Sequence, residues 1–221
     1  MDGSSLASGA FAAFNKNEVI RAGGFSTKTV GEDMEIVVKL RRNSYKNGTP
    51  GDVEFIPDPI VWTQCPETLK DLSKQRRRWQ RGLTQVIFTH KYLLFNPRYG
   101  ILGLFAMPYQ FIFEFLGPFV EMLGYIIVPV AYIFKLINLR AALFFLTVEI
   151  IYGIAISILS LLIGEFSERK YRNWKDFGIL MLIAILENFG YRQLTVIYRI
   201  LGTFDALFNK KGWAKPARKR L

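Results

Sequence analysis

The sequence predicts an α/β aqueous segment followed by an α-helical transmembrane bundle. Three observations carry this. Hydrophobic residues make up 51% of the 221 positions and aromatics 15%, yet 21% are charged, and the two kinds are segregated along the chain. Up to Arg98 the pattern changes from helix to strand and back to helix, as in the end of an α/β domain. Beyond Arg98 apolar blocks of membrane-spanning length follow one another. The expected organisation is an aqueous part over residues 1–98, a membrane region of three to four helices over 99–205, and a basic cytosolic tail over 206–221.

A net charge of +11 suits nucleic acid, anionic lipid or a phosphorylated substrate. The apolar blocks place the chain at a bilayer, which argues against nucleic acid. Much of the charge fits the bias that keeps loops on the cytoplasmic side. Cys65 is the only cysteine, so neither an internal disulfide nor a cysteine metal cluster is expected. His90 has no partner nearby in sequence and reads as an interfacial histidine. The start, Met1 to Ser5, lacks a basic stretch leading into an apolar run, so the first segment is expected to stay cytosolic.

Small residues at Ser8, Gly9 and Ala10 suit a loop where backbone closely approaches a ligand. A short helix around Lys16–Ala22 is expected to end at Gly23-Gly24. A second runs from Asp33 to Arg42, with Met34, Val37, Val38 and Leu40 as its apolar face. Glu32, Asp33 and Glu35 at its start, and Lys39, Arg41 and Arg42 at its end, match the helix dipole. Those acids have two readings: ordinary helix-start residues, or a carboxylate serving as a general base. Residues 53–56 and 59–63 read as short strands, with Pro57 and Pro59 favouring a sheet edge.

A third helix is expected over about 67–88, capped by Thr63 or Cys65. On it Gln75, Arg78, Trp79 and Gly82 share one face at i, i+3, i+4 and i+7. Arg76, Arg77 and Arg81 point elsewhere, toward phosphates, lipid headgroups or solvent. Arginine's planar fork suits a diphosphate, and an indole offers a flat face to a sugar ring. A solvated basic helix explains the arginines but not the shared face of Gln, Arg and Trp.

Gln75-Arg76-Arg77-Arg78-Trp79 resembles the Gln-x-x-Arg-Trp motif of membrane-embedded family 2 glycosyltransferases, the cellulose, chitin, hyaluronan and poly-N-acetylglucosamine synthases. Glu32-Asp33 lies about forty residues upstream, where that family has its Glu-Asp pair. Ser8-Gly9-Ala10-Phe11 and Gly23-Gly24-Phe25 are similar to the family's acceptor loop and the Gly-Gly-Phe after it. The resemblance covers roughly residues 6–98, with the membrane block following in the family's order. It implies the C-terminal part of a nucleotide-sugar transferase (GT-A-like) domain. Asp33 would be the base, Glu32 its positioning neighbour, Gln75 and Arg78 the contacts to diphosphate and acceptor, and Trp79 the stacking platform. Ser8, Gly9 and Ala10 would lie along the acceptor.

The reaction so implied transfers a sugar, by inversion, from a nucleotide sugar such as a UDP-sugar to a growing β-linked polysaccharide. The product would pass across the cell membrane while the catalytic part faces the cytoplasm. Alternatives are a non-processive transferase acting on a lipid, or a non-catalytic membrane subunit. The resemblance also implies a divalent metal, Mg or Mn, whose ligands belong to a donor-binding half not seen in these residues. The chain alone is therefore expected to transfer no sugar.

Within the membrane region, residues 99–137 read as two short spans meeting near Gly117-Pro118, or as an interfacial helix feeding one span. Residues 141–164 and 176–202 read as further spans. Glu114, Glu121, Glu187 and Arg192 sit among apolar residues, as do Tyr109, Tyr125 and Tyr191. They either line a polysaccharide path or, for the Glu and Arg residues, pair between helices, with Arg192 and Arg199 alternatively at the interface.

Overall fold

A computed structural model describes residues 11–48, 61, 63–168 and 173–208. The described residues are helical, with no strand among them. Of the expected strands only Val61 and Thr63 are described, and neither is in a strand. The remaining strand residues, the Ser8–Ala10 loop and the tail beyond 208 lie outside the described residues. The chain forms two compact units, one of residues 1–118 with 198–221, the other of residues 119–197.

In the first unit, α1 (Lys16–Arg21) starts at Asn15, whose side chain accepts from the Asn17 and Glu18 amides. It ends as expected at Gly23 and Gly24, with φ of 85° and 72°. The Gly24 amide donates to the Val19 carbonyl at 2.9 Å, closing the last turn. Helix α2 (Glu32–Asn47) begins one residue earlier than expected and runs five residues longer, to a left-handed Gly48. The extension carries Tyr45, whose hydroxyl accepts from the Ile101 amide at 3.2 Å. Apolar residues of α2 are buried on two sides. Ile36 and Val37 pack with Ala22 beside α1, and Val38 packs with Val86 and the segment beyond it.

Helix α3 (Leu69–Thr89) is capped by Thr68, not by Thr63 or Cys65. The reason is local: Thr68 Oγ1 accepts from the Asp71 amide at 3.1 Å and donates to its carboxylate at 2.8 Å. On α3, Val86 and Ile87 are fully buried, a contribution of about 1.5–3 kcal/mol each. After two 3₁₀ turns, a single α-turn, α4 (Met107–Tyr109), lies between π-helical stretches Leu102–Ala106 and Gln110–Leu116. Leu102 and Met107 are buried with Val38, Val86 and Leu93. Leu104, Phe105, Tyr109, Ile112 and Phe113 of the same stretch are exposed. No break occurs at Gly117-Pro118, where two short spans were one of the expected arrangements: the helical stretch runs on from Leu102 to Ile133.

Helix α5 (Gly117–Ile133) carries the chain into the second unit, with α6 (Leu139–Glu168), α7 (Trp174–Leu186) and the start of α8 (Tyr191–Leu207). Among the described residues two helical stretches are long and apolar enough to cross a membrane, Leu102–Ile133 and Leu139–Phe166. A third is available if α7 and α8, bent by 63° at a short break, make one span. Gly190, with φ of 93°, turns the chain there, and its amide donates to Gln193 Oε1 at 2.7 Å. Inside this unit Arg192 Nε donates to Glu121 at 2.5 Å, Tyr125 donates to the same carboxylate at 2.7 Å, and Ser157 donates to Glu187 at 2.7 Å. Glu121 and Arg192 therefore follow the pairing reading.

Glycine lets the start of α2 lie against the body of α3. A Cβ on Gly82 of α3 would lie 3.0 Å from the Gly31 Cα and nitrogen, just before α2. Both neighbours are backbone, with no side chain to move aside. Gly82→Ala is expected to cost about 1–3 kcal/mol by overpacking, while Gly178→Ala in α7, which meets nothing within 4 Å, leaves stability level or higher. Thermal unfolding in detergent reads both.

A second stability prediction concerns acid. Glu35 and His90 are each 3% exposed, and His90 Nε2 lies 3.7 Å from Glu35 Oε1. Burial is the largest influence on His90 and lowers its pKa; the Glu35 carboxylate opposes, and Arg42 and Lys39 add to the lowering. Burial tends to raise Glu35, but hydrogen bonds from Thr29, Lys39 and Ser26 and the Lys39 charge outweigh it and hold the carboxyl below its ordinary value. A group whose pKa is lowered by folding contributes stability above its unfolded value and loses it as pH falls. The melting temperature is thus expected to drop as pH falls below the ordinary histidine value of 6.5. His90→Gln should flatten that drop.

Candidate functional site

Two helices build the site. Gly31, the residue before α2, presents no side chain and lies against Gly82. The Val30 amide donates to Gln85 Oε1 of α3 at 2.9 Å, fixing the approach. The first turn of α2 therefore starts on the face of α3 that carries Gly82, and Gln75, Arg78 and Trp79 share that face within two turns. The backbone just before the Glu32-Asp33 turn thus lies against α3, the helix that carries Gln75, Arg78 and Trp79.

Glu32 and Asp33 are half-buried in the first turn of α2. Asp33 Oδ1 accepts from the Met34 amide at 2.8 Å, which orients the carboxylate at the helix start. Glu35, two residues on, has a different fate. Its carboxylate takes the Thr29 hydroxyl and, at 3.1 Å, the Lys39 ammonium. It is committed to the fold. The three acids looked alike in sequence, and the structure separates them.

Gln75 and Arg78 are half-buried, and Trp79 is 50% exposed, leaving indole surface open to a ligand. The Arg76 guanidinium sits 4.9 Å from the Trp79 ring centre. Arg76 thus stacks on the motif's own indole instead of pointing away from it. Arg77 was also expected to face phosphates, lipid or solvent, and instead makes an ion pair with Asp205 at 2.6 Å. Arg81 is half-buried, its Nε meeting no hydrogen-bond partner among the described residues.

His90 is buried beside Glu35, not interfacial, and Cys65 is exposed and free. Two contacts escaped the sequence reading altogether: Glu35 with His90, and Arg77 with Asp205. Among the described residues no group of three or more His, Cys, Asp or Glu side chains is placed to hold a metal ion. The described residues do not fit a divalent metal site.

A carboxylate can take a proton from a hydroxylated ligand, arginine and glutamine donors suit an anionic one, and an open indole suits a flat one. Comparison with known proteins agrees in kind. Residues 3–163 match the model of "Glycosyl transferase family group 2". The chain is 28% identical over 107 residues to a "Probable glycosyltransferase YdaM" of Bacillus subtilis (strain 168), covering 48% of this chain and 24% of that protein. It is 34% identical over 80 residues to a "Poly-beta-1,6-N-acetyl-D-glucosamine synthase" of Staphylococcus aureus (strain COL), covering 36% of this chain and 18% of that protein. The chain thus spans less than a quarter of the length of these curated relatives. No solved structure gives a significant match. The match over most of its length shows that the chain belongs to glycosyl transferase family group 2.

Proposed function

We propose that this chain supplies the acceptor side of an inverting, membrane-embedded transferase with a GT-A-like α/β catalytic domain. That enzyme moves a sugar from a nucleotide-sugar donor, such as a UDP-sugar, to the end of a growing β-linked polysaccharide. The observation that supports the reading is the contact of Gly31, the residue before α2, with Gly82 of α3, the helix that carries Gln75, Arg78 and Trp79. The likeness to the Staphylococcus aureus synthase supports a polymer product.

Asp33 takes the proton from the acceptor hydroxyl as that oxygen attacks the anomeric carbon, and Glu32 helps hold it in place. The bond to the nucleoside diphosphate breaks on the opposite side, so an α-linked donor gives a β-linkage. Arg78 and Gln75 stabilise the charge on the departing diphosphate. Trp79 stacks on the terminal sugar of the acceptor. Ser8, Gly9 and Ala10 run along the acceptor in this reading. The helices able to span a membrane hold the site at the cytoplasmic face of the cell membrane, and the polymer passes through that membrane.

The test is to incubate membranes carrying the chain in its native context with a panel of nucleotide sugars and size the product. A β-linked polymer is expected; a lipid bearing one sugar would replace this reading with a non-processive one. In that assay Trp79→Ala should raise the acceptor KM about tenfold, the size of one lost aromatic contact. Arg78→Lys, which loses the planar fork, should lower kcat on the order of a hundredfold.

A further inference from the structure

The substrate-facing side of α3 has a back, and α8 holds it. Residues on an α-helix follow one another by roughly 100°, so Arg77 and Gln80 fall on the side of α3 away from Gln75, Arg78 and Trp79. Both meet the second half of α8, and each contact is specific. Arg77 donates from Nε and Nη2 to the two carboxylate oxygens of Asp205, at 2.8 and 2.9 Å. Arg199 Nε donates to Gln80 Oε1 at 3.0 Å, while Gln80 Nε2 donates to the Glu114 carbonyl at 3.3 Å. Arg199 also pairs with the Glu114 carboxylate at 2.8 Å. Between these contacts lies Gly202, where a Cβ would stand 2.6 Å from the Arg77 carbonyl oxygen and 2.9 Å from its Cα.

Arg199, Gly202 and Asp205 recur every three residues along α8, so one helix face makes all three contacts. A bidentate arginine–carboxylate pair fixes orientation as well as distance. Gln80 is 3% exposed with both ends of its amide bonded, so turning α3 about its axis would leave buried polar groups unsatisfied. Sliding α8 along α3 would separate Asp205 from Arg77 and Arg199 from Gln80 together. The clamp therefore limits the two motions that would re-aim Trp79.

We propose that Asp205 and Arg199 are positioning residues for the acceptor side, acting through Arg77 and Gln80 to set the direction in which α3 presents Gln75, Arg78 and Trp79. This rests on the acceptor reading of Trp79 given above. It assigns a role to α8 that the motifs of the aqueous segment do not contain.

The experiment uses the 221-residue chain in detergent with Trp62, Trp174 and Trp213 replaced by Phe, so that Trp79 alone reports. Acrylamide quenching reads its exposure. A short β-1,6-linked N-acetylglucosamine oligosaccharide, titrated against its emission, reads acceptor binding, and circular dichroism reads helix content. Asp205→Ala and Arg199→Gln are expected to change Trp79 quenching about twofold and weaken oligosaccharide binding about tenfold with helix content kept. The exchange Arg77→Asp with Asp205→Arg should restore both signals. Unchanged Trp79 quenching in Asp205→Ala, or an exchange that restores nothing, overturns the proposal whether or not sugar binds. If the oligosaccharide leaves the emission of the unsubstituted chain untouched, the acceptor reading fails instead, and quenching still decides the positioning claim.

Discussion

Two glycines in contact, Gly31 before α2 and Gly82 within α3, let one helix start lie on the backbone of another. Any side chain at either position would force the helices apart by part of an ångström or more. Reach at an active site is short, because a general base works only within hydrogen-bond distance of its proton. The closeness of α2 and α3 therefore decides whether an acid on one and donors on the other can act on a single ligand. Hydrophobic burial supplies the stability around this contact, through Val38, Val86, Leu93 and Met107, but it does not set the distance.

Charge is divided between the fold and the face. Glu35, His90, Lys39 and Thr29 form a buried polar group, while behind α3 the partly exposed Arg77 pairs with Asp205, and Arg199 with Gln80 and Glu114. Within the second unit Glu121, Tyr125 and Arg192 form a third. An ionised group away from water is costly unless paired, which is why the buried Glu35 carboxylate takes both Thr29 and Lys39. Glu32, Asp33, Gln75, Arg78 and Trp79 are held at intermediate or greater exposure, where a ligand can meet them. The many cations of this chain are thus not one basic surface. Several are structural.

The helices were legible because their signals are local. Gly23-Gly24 ended α1, the apolar spacing of Val37 and Val38 marked α2, and the i, i+3, i+4, i+7 pattern placed Gln75, Arg78, Trp79 and Gly82 together. The family followed from motifs that are short and ordered. What stayed hidden depends on contacts between distant residues. Gly82 read as one more member of a polar face until Gly31 was found against it. Arg77 reached for an anion, and its partner proved to be a carboxylate 128 residues later. The π-helical turns through Leu102–Leu116 have no periodicity of their own to announce them, because they arise where Leu102 and Met107 turn into the core while Phe105 and Phe113 stay out.

The central claim is that α2 carries one acid for chemistry and one for the fold, two residues apart. It is tested most directly by measuring sugar transfer and thermal stability side by side for Asp33→Asn and Glu35→Gln in membranes carrying the chain in its native context. Asp33→Asn should abolish transfer, a loss on the order of a thousandfold or more, with the melting temperature kept. Glu35→Gln should lower the melting temperature while the protein that stays folded keeps its turnover. The account is contradicted if Asp33→Asn transfers sugar at the unsubstituted rate, or if Glu35→Gln abolishes turnover with stability intact.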